Sequence, residues 1–167
     1  MTLTLRTDEQ VFKALAQEAE ARKVTVNAFV NQILTNHVDW GRHTSKYGSV
    51  EIPVEGFAGL LDLLDDERVA SFGREAAQRR WKSLISIWHG DTSPESVLKF
   101  VIFWLENTGQ AKITTVDEAP HHRVIGFHHL GMKGSILFKH QIETMFEYAH
   151  KKVTVSILPD QFSFRID

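Results

Sequence analysis

Apolar and polar positions alternate with a period of two at the start of the chain, and the period then lengthens. Leu3 and Leu5 alternate with Thr2, Thr4 and Arg6 over Thr2–Thr7, the pattern of a half-buried strand. Asp8 follows as a helix N-cap with Glu9 in the first turn. Val11, Phe12, Leu15, Ala16 and Ala19 recur at helical spacing and predict a helix to about Arg22-Lys23. Thr25 is a second N-cap, ahead of Val26, Phe29, Val30, Ile33, Leu34 and Val38, which predict a second amphipathic helix to about Trp40. Residues 41–48 are polar with a glycine at each end and read as a linker.

A second unit is expected over residues 49–167. Val50-Glu51-Ile52 suggests a short strand, and Pro53 suits the first position of a helix carrying Val54, Phe57, Leu60, Leu61 and Leu64. Asp65 or Asp66 caps a longer helix with Val69, Phe72, Trp81, Ile85 and Trp88, broken by Gly90-Asp91. Ser93-Pro94-Glu95 starts a helix that is apolar nearly all round from Phe100 to Leu105, and is therefore buried. Strands are expected over Ala111–Val116 and Arg123–Leu130, then a helix from about Lys133 to His150. Val153, Val155 and Ile157 form a hairpin with Phe162, Phe164 and Ile166 around Pro159-Asp160. The expected class is α+β: a strand and two helices over residues 1–40, then a domain with a mainly antiparallel sheet of about four strands and several helices.

Composition narrows the function classes. The chain has 167 residues, enough for one large domain or two small ones, and 43% are apolar and 24% charged, which excludes wholesale disorder. The longest apolar run, Phe100 to Leu105, is six residues, far below the ~18 of a membrane helix. No basic-then-apolar leader opens the chain, so a membrane partner is not expected. There are no cysteines, which excludes disulfides, thiolate metal sites and cysteine nucleophiles and fits a cytoplasmic location. The net charge of -2 does not point to nucleic acid, but its distribution is uneven. Residues 1–48 hold six Lys/Arg against five Asp/Glu, residues 49–120 seven against twelve, and residues 121–167 six against four. A DNA-binding surface is therefore expected to be local and N-terminal.

One strand and two helices within forty residues cannot bury their apolar face alone, and the strand leaves an open edge. A two-fold dimer solves both problems. Its strands pair antiparallel over a shared four-helix core that takes in Leu3, Leu5, Phe12, Leu15, Phe29 and Ile33. The ribbon then presents Thr2, Thr4 and Arg6 from each chain, and a two-stranded ribbon fits the major groove. The run T-L-T-L-R-T-D-E-Q-V, a helix, and K-V-T-V-N-A-F-V-N-Q-I-L together resemble the ribbon-helix-helix family of Arc- and MetJ-type DNA-binding proteins, over residues 1–40. The resemblance implies a homodimer on double-stranded DNA with Thr2, Thr4 and Arg6 reading bases. It also implies a phosphate clamped by the backbone at Thr25, Val26 and Asn27, with Lys23 adding a cation. Two positions depart from the family: Thr7 stands where an apolar residue closes the strand, and Lys23 stands where glycine is usual.

The remaining chemistry is weaker. Of nine histidines, His121, His122, His128, His129, His140 and His150 fall near one expected strand and the helix after it. His128, His129 and His140 are the candidates for a metal, as in the nickel-responsive repressors that share the N-terminal fold. The cysteine ligand of that family is absent and the spacing differs, so surface or core imidazoles are expected, with no metal and no other cofactor. His128 and His129 must point to opposite faces of a strand. His128 to Ser135 is a glycine-bearing strand-to-helix junction, either an anion site or a structural turn. Trp81, Trp88, Phe100, Phe103 and Trp104 are expected as core, with an effector pocket as the alternative. Arg79, Arg80 and Lys82 are expected on a solvated face. No motif places a nucleophile with its base and orienter, so an enzyme is not expected.

These readings converge on a cytoplasmic, sequence-specific transcription regulator, a repressor-type homodimer. Residues 49–167 would sense a small-molecule effector, join dimers into tetramers, or both. Two rivals are an antitoxin-type protein-binding module of a toxin–antitoxin pair and a metal-responsive repressor using the C-terminal histidines. Antitoxin tails are typically short and disordered until bound, whereas this C-terminal part is long, aromatic and patterned for its own core.

Overall fold

The computed structural model describes residues 4–42, 44, 50–118 and 121–166 and divides into two compact units, Met1–Val50 and Glu51–Asp167. In the first unit, helix α1 spans Glu9–Ala21 and the Asp8 carboxylate accepts from Val11 N at 2.8 Å. It ends in a Schellman motif, with Val24 N donating to Ala19 O at 3.0 Å and Lys23 N to Glu20 O at 2.9 Å. Lys23 holds the left-handed position of that motif at φ 56°, the strained geometry expected where glycine is missing. Helix α2 spans Val26–Asn36, capped by Thr25 Oγ1 on Ala28 N at 3.1 Å. It continues through a π-helical turn, His37–Gly41, and Arg42 and Thr44 are helical too, so the helical path enters the segment read as a linker. One glycine costs a helix only about 1 kcal/mol, too little to stop it at Gly41.

The expected Thr2–Thr7 strand is not formed in the single chain. Thr2 and Leu3 lie outside the described residues, and residues 4–8 have no regular structure. A strand exists by hydrogen bonding to a neighbour, and among the described residues the first strand begins at Lys112. Ala19 and Phe29 are buried between α1 and α2, while Leu5, Val11, Phe12, Ile33, Leu34 and Val38 are exposed by 38% to 56%.

The second unit is α+β. Val50-Glu51-Ile52 forms no strand: three alternating residues have no partner. Pro53 is the N-cap of α3 (Val54–Asp62) and not its first residue. Helix α4 (Asp66–Ala76), capped by Asp65, runs through a π-helical turn at Ala77–Trp81 into α5 (Lys82–His89), which stops at Gly90 with φ 81°. Helix α6 (Pro94–Asn107) begins at the Ser93 cap with Pro94 in its first turn. Strands β1 (Lys112–Glu118) and β2 (His121–Phe127) precede α7 (Gly131–Glu147), and β3 (Thr154–Leu158) and β4 (Gln161–Ile166) follow it. The sheet is wholly antiparallel in the order β1-β2-β4-β3. Strand β2 stops three residues short of the expected Leu130, because His128 turns out of the sheet into the junction described below.

One sheet face, with Val124, Gly126, Val155, Phe162 and Phe164, is buried beneath helix α7. Phe138 and Phe146 of α7 meet Phe162 and Phe164 at ring distances of 5.4 Å and 5.8 Å. Helices α4 and α7 touch backbone to side-chain position at Gly73, where a Cβ would lie 2.8 Å from Leu137 O. Trp81 meets Phe100 edge-on at 5.3 Å and Trp104 at a tilt at 4.5 Å, and Trp88 joins Phe100 and Phe103.

Candidate functional site

The N-terminal candidates fall into two groups. Thr4 and Arg6 are exposed in the segment preceding α1, and Thr2 lies outside the described residues. Lys23, Thr25 and Asn27 are exposed at the start of α2, with Val26 half-buried between them. A helix start carries four N–H groups without helical acceptors and a partial positive charge. Here Thr25 satisfies the Ala28 N–H, and Lys23, at positive φ, stands two residues before that cap. Arg22 lies over the Phe29 ring at 4.9 Å and within 3.7 Å of Glu18, so this second cation is committed to packing the turn. Lys23, Thr25, Val26 and Asn27 thus lie together at the start of α2, while Thr4 and Arg6 are in no strand.

The junction from His128 to Ser135 contains an arrangement that sequence reasoning missed. His128 Nε2 is 2.9 Å from Ser135 Oγ, and His128 Nδ1 is 3.8 Å from Asp160 Oδ1. A serine, a histidine and an aspartate in that order suggest an activated nucleophile. The hydrogen bonds argue otherwise. His128 Nδ1 accepts from Leu130 N at 3.2 Å, so the proton of the neutral ring sits on Nε2 and is donated to Ser135 Oγ. Ser135 in turn donates to Leu158 O at 2.6 Å. The ring therefore cannot take the serine proton, Ser135 is fully buried, and Asp160 stands too far from Nδ1 to bond it. The carboxylate instead accepts from Gly131 N at 2.7 Å, at the N-terminus of α7. The anion expected at this junction is thus supplied by the chain itself. The arrangement is a latch that ties the β3–β4 turn to the start of α7. Gly134 is required there, since a Cβ would meet Leu130 Cβ at 2.2 Å and His128 Cε1 at 3.1 Å.

Burial pushes the His128 imidazole down from 6.5 to about 4, with the His129 ring adding to the shift and the Asp160 carboxylate opposing it. The group binds a proton more readily unfolded than folded. Its stabilisation is full above pH 6.5 and is lost progressively as pH falls towards about 4, a loss of about 3 kcal/mol in total. His89 and His140 are lowered as well, by burial first, and act in the same direction. The urea midpoint is expected to drop steadily between pH 7 and pH 4.5. An imidazole titration by NMR that finds His128 near 6.5 removes the latch as the cause.

Among the described residues the candidate histidines His128, His129 and His140 are not brought together with a third ligand. His128 is buried and His129 exposed, but β2 ends at Phe127, before both, so they are not the strand neighbours that were expected. His140 instead contacts Arg74 Nη1 at 3.3 Å and Glu143 at 3.8 Å. Among the described residues no three potential ligands converge. Of the aromatic set, Phe100 and Trp104 are buried in the core, with Trp81, Trp88 and Phe103 half-buried against them. An open cleft of about 500 Å³ lies elsewhere, lined by Glu143, Glu147, His150, Lys151 and Lys152. Arg79 is exposed and paired with Glu75 at 3.0 Å, and Lys82 lies over the Tyr148 ring at 5.9 Å. No helix among the described residues is long and apolar enough to cross a membrane.

Comparison with protein-family models, with curated proteins and with solved structures finds no match to this chain in any of the three. The functional reading therefore rests on the residues and their geometry.

Proposed function

We propose that the protein is a sequence-specific DNA-binding transcription regulator acting as a homodimer of the ribbon-helix-helix type. In this reading the paired segments around Thr2–Thr7 read the major groove through Thr2, Thr4 and Arg6. The α2 start, with Lys23, Thr25, Val26 and Asn27, binds a phosphate on each side. The carrying observation is the unfinished core of the first unit. Two well-capped helices bury Phe29 and Ala19 but leave Leu5, Phe12 and Ile33 exposed by 43% or more. Such a surface on a short unit calls for a second copy. The second unit has a core of its own, which fits a regulatory or oligomerising domain better than an antitoxin tail. Within it the mixed-charge cleft by Glu143 and Lys152 is the place for a small zwitterionic effector.

The test separates base reading from phosphate binding. With an operator selected from random duplexes, Arg6→Ala is expected to cost about 1–3 kcal/mol and to relax preference at one base position. Lys23→Gly is expected to weaken all duplexes alike while raising stability by up to about 1 kcal/mol, because glycine relieves the left-handed φ of 56°. Gel-shift titrations and urea melts read the two effects. Unchanged operator affinity and preference in Arg6→Ala would remove the ribbon from the reading.

A further inference from the structure

The sheet of the second unit has a second face. The register aligns Lys112, Phe127, Gln161 and Leu158 in one row across all four strands, Thr114, Ile125, Ser163 and Ser156 in the next, and Val116, Arg123, Arg165 and Thr154 in the third. These rows alternate with the ones beneath α7 and lie on the side away from it, with Ser163 in the middle row buried and Val116, Ile125 and Gln161 half-buried. Lys112, Arg123, Arg165, Thr114, Thr154 and Ser156 are exposed, as are Phe127 by 47% and Leu158 by 59%. The ionisable side chains described on this face, Lys112, Arg123 and Arg165, are all cations, within a chain whose net charge is -2. The register continues to Glu118 opposite His121 at the far end.

Charge selects the occupant. A second copy stacked on this face would bring Lys112 and Arg123 of one copy towards those of the other, at a cost in repulsion. A polyanion has the complementary charge. Phe127 and Arg123 are four residues apart on β2, about 14 Å along the strand, so an aromatic platform and a basic row stand on one open surface. Hydroxyl and amide groups of Thr114, Ser156 and Gln161 fill the space between and beside them. Unstacked bases need a ring to stack on and cations along the backbone, and a duplex hides its base faces. We infer that the outer face of the sheet binds single-stranded nucleic acid, with Phe127 stacking a base and Lys112 and Arg123 contacting phosphates. Arg165 is already engaged in an interaction and is left out of the test. This site is independent of the N-terminal ribbon.

The experiment uses the full chain and fluorescence anisotropy with labelled oligothymidylate and oligouridylate of about twelve nucleotides, and a random duplex of similar length. Saturable binding of at least one homopolymer is expected. Phe127→Leu, which keeps apolar bulk and removes the ring face, is expected to weaken it by about fivefold or more. Lys112→Gln with Arg123→Gln is expected to flatten the slope of log affinity against log salt by about 1.4. Arg6→Ala is expected to leave single-strand binding unchanged, which separates this site from the ribbon. A preference for oligouridylate or for oligothymidylate supports the site and names RNA or DNA as its source; equal binding supports it through contacts common to both. These side chains are exposed, so circular dichroism is expected to match wild type. The inference is overturned by absence of saturable binding, by binding that these folded variants leave unchanged, or by an equal loss of duplex binding in the same variants.

Discussion

Aspartate in place of Phe12 is expected to abolish assembly of the first unit and, with it, specific DNA binding. In one chain Phe12 is 53% exposed, and a polar substitution at such a position ordinarily changes stability by no more than about 0.5 kcal/mol. In the two-fold dimer the same side chain belongs to the shared core, so each copy would bury a carboxylate without a partner. At about 2 kcal/mol or more for each, the two copies raise the dissociation constant of the dimer by about three orders of magnitude. Sedimentation of the segment 1–50 reads assembly directly, and operator binding by the full chain reads the consequence. Full-chain dimerisation through the second unit is not expected to rescue binding, because in the proposed dimer the reading surface requires the two ribbons to pair. A Phe12→Asp chain that sediments and binds as wild type would show that the exposed apolar surface has another purpose.

What was legible in the first unit was local. Asp8 and Thr25 cap their helices as their side-chain oxygens and positions imply, and the Lys23 strain follows from a missing glycine at a Schellman position. The strand was not legible as a structure of one chain. Alternation of Leu3 and Leu5 with Thr4 and Arg6 describes which side of a ribbon each residue would take, but a partner must supply the hydrogen bonds. The helical state of Arg42 and Thr44 is not legible in composition, because a polar stretch with glycine remains compatible with helix.

In the second unit, periodicity located the helices and the four strands to within a few residues, because each apolar stripe is a property of its own segment. His128 and His129, expected as strand neighbours, lie beyond the end of β2 at Phe127, so parity does not account for their different burial. The latch itself was not legible. Its bonds join Ser135 to Leu158 across 23 positions and Gly131 to Asp160 across 29, and Asp160 read only as a turn residue. The outer sheet face was likewise hidden, since which residues share a row depends on a register that β2, β4 and β3 set together.

Gly126 concentrates that non-local dependence in one atom position. It pairs with Phe162 across β2 and β4, and the Phe162 ring folds back over it: a Cβ on Gly126 would lie 2.1 Å from Phe162 Cζ and under 3 Å from both ring Cε atoms. The ring cannot withdraw cheaply. Phe162 is fully buried, with Phe138 at 5.4 Å and the His128 ring stacked at 6.2 Å on its other sides. Gly126→Ala is therefore expected to destabilise the second unit by about 3 kcal/mol or more, at the upper end for an overpacked core. The cost arises from a specific collision, so it should depend on the collider. Phe162→Ala alone is expected to cost about 3–5 kcal/mol, as a large core truncation does. In the Gly126→Ala background it is expected to cost at least about 1 kcal/mol less, because the new methyl group occupies space the ring has left. Urea denaturation of the two single variants and the double variant measures that coupling. An alanine at 126 that costs under about 1 kcal/mol, or a double variant whose losses simply add, would mean that the ring finds room elsewhere and that the β2–β4 pairing tolerates a side chain where the glycine now stands.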